Sequence, residues 1–327
     1  MNTKISVIIP IFNVCNFIER CVVTLFEQTL KEVEYIFVND ATPDHSIQLL
    51  EEVLTRYPER KELVRIVHHS INKGLPAARN TGLNLATGEY IFHCDSDDYV
   101  EPTMLEELYN AAKKTNADIV WCDWFLTFAK NERYMSQPSY NTPMEALKAM
   151  LSGAMKYNVW NKLVRRSLYN DNNICFPTGY GMGEDMTMMI LFANASKVSY
   201  VPQAFYHYVK LNSGAFSQTY SERHLSELKY NVWRITSYME GKFGTILEEE
   251  IAFFKLDVKY PFLISDDKSK YRLWKEWYSE ANKYIGRNKL ISKRSIILQW
   301  VAARGWWWLV RLYYVLVNKM IYGIVYR

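Results

Sequence analysis

Residues 88–100 read GEYIFHCDSDDYV: an apolar run long enough for one strand, closed by three carboxylates in four positions, Asp95, Asp97 and Asp98. The same rhythm of a β-branched or aromatic run, a polar turn and a stretch of helical spacing repeats on both sides. Strand-like runs stand at Ile5–Ile9, Glu34–Val38, Leu63–Val67, Tyr90–Cys94 and Asp118–Trp124. Helical spacing falls between them, near Phe17–Gln28, Ser46–Tyr57, Leu75–Ala86 and Thr103–Thr115. Near-continuous apolar strands alternating with helices predict an α/β doubly wound, mostly parallel sheet covered on both faces. In such sheets ligands bind beyond the carboxyl ends of the strands.

The polar clusters stand at those ends: Pro10, Phe12 and Asn13 after the first strand, Asn39, Asp40, Ala41 and Thr42 after the second, Asp95 to Asp98 after the fourth. Three clustered like charges are costly unless a cation neutralises them. Oxygen ligands suit a hard ion, Mg²⁺ or Mn²⁺, which would also take substrate phosphates. The same acids suit a solvated turn capping the next helix. Asp40 could accept from a nucleobase or ribose, or serve as a turn residue. Arg79 could pair with a phosphate or the acids, or lie on an ordinary surface helix. Glu184 and Asp185 precede the apolar run Met186–Phe192, where they could cap a helix or hold a general base at its tip.

The chain has 327 residues, 49% of them hydrophobic, which suits about two domains of ordinary size. Five scattered cysteines without CxxC spacing suggest neither a disulfide framework nor a zinc site, and fit a cytoplasmic setting. The start, MNTKISVIIPIFN, reads as a strand rather than a signal peptide. From Ala281 to Arg327 there are nine basic residues and no acid, leaving 30 basic against 35 acidic residues in the rest. Four of the ten tryptophans also fall there. On one continuous helix Lys289, Lys293, Arg304, Arg311 and Lys319 would share a face with aromatics between them, which predicts peripheral contact with the inner face of a membrane. Packing onto the protein or a homodimer partner is the other reading, and nucleic acid fits less well. The expected division is 1–215, with halves 1–125 and 126–215, followed by a helical region 216–327.

ISVIIPIFN, VNDATPDHS, the NxG and ARNTG pair, GEYIFHCDSDDYV and GEDMTMMILF occur in the order and spacing of the family 2 glycosyltransferases, which the chain resembles over roughly Ser6–Phe192. The resemblance implies a GT-A fold, with Pro10, Phe12 and Asn13 lining a nucleoside pocket, Asp40 accepting from the base and Arg79 near the base or diphosphate. Asp95 and Asp97 would form the DxD pair that holds the donor through the ion, with Ser96 and Asp98 beside them. Asp185 would be the catalytic base, flanked by Glu184. The segment Trp160–Leu163 resembles an element on the acceptor side, and His207 or Lys210 could meet the leaving diphosphate. Asn39 and Ala41 depart from the family by standing where an aspartate and a glycine are common. The implied reaction transfers a sugar from a nucleotide-diphosphate donor, UDP first, to a hydroxyl of a glycan or polyprenyl-diphosphate-linked acceptor, with inversion. The alternatives are a sugar-nucleotide-forming nucleotidyltransferase, which would want a glycine-rich loop where Ser6–Asn16 has no glycine, and an inactive nucleotide-sugar-binding protein.

Overall fold

The computed structural model describes residues 3–211, 221–265 and 267–317. Seven mostly apolar residues, ISVIIPI, leave β1 (Ile5–Ile11) no face to show to water, and all seven are buried. Parallel ladders join it to β2 (Val33–Asn39), which pairs in turn with β3 (Val64–His68), and on its other edge to β4 (Tyr90–His93). The crossovers carry α1 (Ile18–Phe26), α2 (Ser46–Thr55) and α3 (Leu75–Leu85). Strand order reverses between β1 and β4, which puts residues 10–13 and 95–98 at the switch point.

Beyond β4 the sheet becomes mixed. After β5 (Tyr99–Val100) and α4 (Met104–Thr115) come β6 (Ile119–Thr127), β7 (Glu132–Met135), α5 (Pro143–Leu151), β8 (Lys162–Arg165), α6 (Arg166–Asp171), α7 (Thr187–Asn194) and β9 (Val198–Val209). The nine strands run β3-β2-β1-β4-β8-β6-β9-β5, with β7 paired to β6. β8 is antiparallel to both neighbours, while the long β6–β9 ladder is parallel. The fold is thus α/β with a mostly parallel sheet, as the strand rhythm predicts. Strand structure extends past Trp124, where the strand-like run of the sequence stops: β6 runs to Thr127 and the chain turns back as β7. Asp123 accepts from Tyr134 Oη at 2.5 Å and from Gln137 N at 2.6 Å. Largely exposed β7 side chains blur the apolar alternation that would mark a strand.

The chain divides into two compact units, residues 1–144 with 157–235 and residues 145–156 with 236–327. α8 (Glu222–Phe243) belongs to both in sequence, and α9 (Glu248–Lys259), α10 (Lys268–Glu276), α11 (Lys293–Ala303) and α12 (Trp307–Tyr313) build the second. That unit has its own core, including Phe254, Leu263, Trp274, Trp277 and Val310. Lys259 is buried in it, with Nζ donating to Trp277 O at 2.8 Å and Asn282 Oδ1 at 2.7 Å. The expected continuous basic helix is broken: α11 ends at Ala303, and Gly305, just past its cap Arg304, has a φ of +75° in the left-handed region that favours glycine. Lys319 and Arg327 lie outside the described residues. Among the described residues no helix is long and apolar enough to cross a membrane.

Candidate active site

The loops after β1 and β2 are pinned by carboxylates. Asp44 accepts from Cys15 N at 2.9 Å, Thr42 Oγ1 at 2.7 Å, and Ser46 N and Oγ at 3.1 and 2.6 Å. Burial would raise its pKa, but the hydroxyl and amide donors hold the carboxyl below its ordinary range. Asn13 and Ala41 both sit at positive φ, +56° and +54°, and Asn13 N donates to Thr42 Oγ1. Ala41 therefore occupies a left-handed position for which glycine is the unstrained choice. Phe12 is left 47% exposed beside this turn. Asp40, expected to read a nucleobase, is instead buried and engaged by the protein: His69 Nδ1 lies 2.6 Å from Oδ1, and the N–H groups of Lys73 and Gly74 donate to its two oxygens at 2.8 Å each.

The acids after β4 separate into two kinds. Asp95 and Asp97 remain partly exposed. Asp98, expected at the ion, is buried with Oδ1 accepting from Val209 N at 2.7 Å and Oδ2 from Tyr206 Oη at 2.8 Å, so it ties the turn to β9. Burial, then the charges of Asp97 and Asp95, push its pKa well up. Ser96, expected at the donor, gives its hydroxyl to Pro10 O at 2.7 Å and joins the ends of β1 and β4. Among the described residues no three acids, histidines or cysteines converge on one point. Two half-exposed carboxylates suit a hard cation that completes its shell with phosphate oxygens and water, which is how Mg²⁺ and Mn²⁺ usually bind.

Arg79 joins distant parts of the chain. Its guanidinium is 1% exposed, with Nη2 donating to Asp95 Oδ1 at 2.8 Å and Nε to Glu184 Oε1 at 3.1 Å. It is thus placed behind the acids, not in open position to meet a diphosphate. Glu184 is its buried counter-ion, with Oε2 unpartnered among the described residues. Burial raises the Glu184 pKa, and Arg79 opposes the rise. Gly183, at φ +86°, turns the chain into the short 3₁₀ turn Glu184–Met186, where a side chain would be strained. α8 braces this turn: Asn231 Nδ2 donates to the carbonyls of Tyr180 and Met182, and Glu227 accepts from Met182 N.

Asp185, next in the chain, stays partly exposed. Surrounding protein and then the Glu184 charge push its pKa up to about 7, against the pull of Arg79 and Lys162. Lys162 was legible only as part of an element. It is buried in β8, donating to Asn158 O at 2.7 Å and Asn161 Oδ1 at 2.9 Å, and burial brings its pKa down to about 7. A lysine flanked by Trp160 and Leu163 in a strand-like run was the available signal. His207 lies between Glu132 and Glu101, at 2.8 and 2.9 Å, and stacks on Tyr99, so its ring is held within the sheet. Lys210 donates to Tyr208 Oη at 3.1 Å.

Residues 6–187 match the model of Glycosyl transferase family 2, which is more than half of the chain. The chain belongs to this family. A cholesterol galactosyltransferase of Borreliella burgdorferi is 34% identical over 296 residues, 84% of this chain and 80% of that one. The crystal structure of Staphylococcus aureus TarS 1-349 in complex with UDP-GlcNAc superposes with a TM-score of 0.68 at 19% identity, covering 99% of this chain and 93% of that one. The mannosyltransferase PcManGT of Pyrobaculum calidifontis, in complex with GDP-Man and Mn²⁺, has a TM-score of 0.53 at 14% identity over 97% and 88% of the two chains. These structures share the fold. The family 2 protein described here is a glycosyltransferase.

Proposed function

We propose that this glycosyltransferase moves a sugar from a nucleotide-diphosphate donor, UDP-linked, to a hydroxyl of a glycan or lipid-linked glycan in a single displacement with inversion. The observation that carries the proposal is Arg79, which draws Asp95 and Glu184, 89 positions apart in sequence, to one buried cation and so sets the turn bearing Asp185 beside the acidic strand end. In this reading Phe12, Asn13 and the turn pinned by Asp40 and Asp44 receive the nucleoside. Asp95 and Asp97 would hold a divalent ion, which when bound neutralises charge on the departing diphosphate. Asp185 takes the proton from the acceptor hydroxyl as it attacks; a carboxylate with a pKa of about 7 is a stronger base than an ordinary one yet still ionises near neutrality. One base and one displacement require no covalent enzyme intermediate.

The donor assignment is supported by the UDP-GlcNAc bound to TarS, the ion by the Mn²⁺ of the mannosyltransferase, and an acceptor of lipid character by the relative named for cholesterol. A lipid-linked acceptor would place the enzyme at the inner face of the cytoplasmic membrane. The test is a calorimetric screen of UDP- and GDP-sugars with and without Mn²⁺, followed by NMR assignment of the anomeric configuration of the product. A donor bound more tightly with Mn²⁺ and a product of inverted configuration are expected. Retained configuration, or no nucleotide sugar bound under either condition, would end this reading.

A further inference from the structure

The end of the helical unit holds a second surface with no part in the chemistry above. Along α11 and its cap, Lys293, Ile297, Trp300 and Arg304 are spaced i, i+4, i+7 and i+11, so they fall on one stripe, and all four are exposed. The opposite side, Leu298, Val301 and Ala302, is buried. On α12 and the residues after it, Trp308, Leu312 and Leu316 form a similar outward row next to Arg311, while Val310 is fully buried. Ile297, Trp300, Trp306, Trp308, Leu312 and Leu316 are 42–68% exposed. The run Trp306-Trp307-Trp308 is divided by the fold. Trp307 stacks on Tyr271 with centroids 5.6 Å apart, whereas Trp306 and Trp308 remain outside.

We infer that this face of α11 and α12 lies on an anionic bilayer surface. Exposed large apolar groups grouped on adjoining helices mark an interaction surface rather than ordinary scatter. Indole rings at the edge of aliphatic side chains suit the headgroup boundary, with Ile297, Leu312 and Leu316 reaching the acyl region. The basic residues select the partner. Lys293, Arg294, Arg304 and Arg311 are exposed around the stripe, and no acid occurs from Ala281 to the end of the chain. The Arg304 guanidinium lies 3.0 Å from the centre of the Trp300 ring, so cation and indole are presented together. A second copy docked through the same face about a two-fold axis would set these cations against themselves. Anionic phosphates meet them with the opposite sign. The proposal rests on the glycosyltransferase reading only for the reason the enzyme would need a membrane; the surface stands on its own residues.

Flotation of the full chain with vesicles of phosphatidylcholine alone, and of phosphatidylcholine mixed with phosphatidylglycerol, tests it without donor or acceptor, so the outcome is independent of whether transfer occurs. Recovery with the anionic vesicles, loss at high salt and a blue shift of tryptophan emission are expected. Arg304→Gln and Arg311→Gln should each weaken vesicle affinity about fivefold, and Trp308→Ser with Leu312→Ser should abolish flotation while the circular dichroism melt stays cooperative. A chain that stays in the bottom fraction with anionic vesicles, variants that float like the parent, or a dimer in sedimentation that the Trp308/Leu312 variant dissolves would each overturn the inference.

Discussion

At the carboxyl ends of β1 and β2 the acids are met by donors, with Asp40 taking two backbone amides and a histidine and Asp44 two amides and two hydroxyls. At the turn before α7 the balance is reversed: Glu184 leaves one oxygen unmet among the described residues, and Asp185 is governed by the charges of Glu184, Arg79 and Lys162. Donors lower a carboxyl pKa and fix a loop; burial among charges raises it and leaves a group ready to take a proton. The first region is a donor-lined cradle and the second a cluster of charges set against one another. Asp98, in the acidic motif, combines the two: donors hold both its oxygens as in the cradle, while burial and the charges of Asp97 and Asp95 still push its pKa well up.

Asp185→Asn should break the second region most severely. Transfer should fall by about 10²–10⁴-fold, the range for losing a positioned general base, while donor binding measured by calorimetry stays near parental. Parental turnover in this variant would remove Asp185 from its role. Next comes Asp97→Ala, which should weaken Mn²⁺-dependent donor binding by roughly tenfold to a hundredfold and leave metal-free binding little changed, as read by paired titrations.

The pH dependence sharpens the contrast. If Asp185 is the base, kcat/KM should climb with pH through a midpoint near 7, and Lys162→Met should move that midpoint upward by removing a neighbouring cation. The linked stability has the opposite sense. The folded state keeps this carboxyl protonated up to about 7, whereas an unfolded aspartate ionises near 3.9, so between those values the native state binds more protons. The contribution of Asp185 to stability should therefore fall as pH rises from about 4 to about 7, and melts of Asp185→Asn recorded across the range should differ from the parent by that slope.

In the cradle the expected effects are smaller and concern folding. Asp98→Ala strands the Val209 amide and the Tyr206 hydroxyl, costing roughly 1–3 kcal/mol for each donor left buried and unmet, whereas Asp98→Asn, which retains an acceptor, should cost less. Equal melting temperatures for the two variants would show that these bonds do not hold β9. Ala41→Gly should be the mildest change, stabilising by up to about 1 kcal/mol because the native φ of +54° is strained for alanine and free for glycine.

Period and composition carried the reading of β1 to β4 and the helices between them, because a parallel strand buried on both faces is a continuous apolar run that sequence displays directly. β7 was hidden because its side chains are mostly exposed. β8 is only four residues long, and the sequence shows it only in part, through the strand-like segment Trp160–Leu163 that overlaps its start. Ser96 and Asp98 looked like site residues because a motif records spacing and does not say which way a side chain faces. Their hydroxyl and carboxylate turn into the sheet, while Asp95 and Asp97 between and before them remain at the edge.

By itself the sequence determined the alternation that makes an α/β sheet, the placing of acids and amides at the strand ends, the family, and a C-terminal region with cations and no acid. Those are properties of neighbouring residues, and local spacing encodes them. Only the tertiary structure decided that Arg79 is shared by Asp95 and Glu184, that Lys162 is buried where it feels the charge of Asp185, and that of three successive tryptophans the middle one turns inward. Each of these depends on residues far apart in the chain meeting where water is excluded. There the low dielectric makes a charge or an unmet hydrogen bond matter more than it does along an exposed chain.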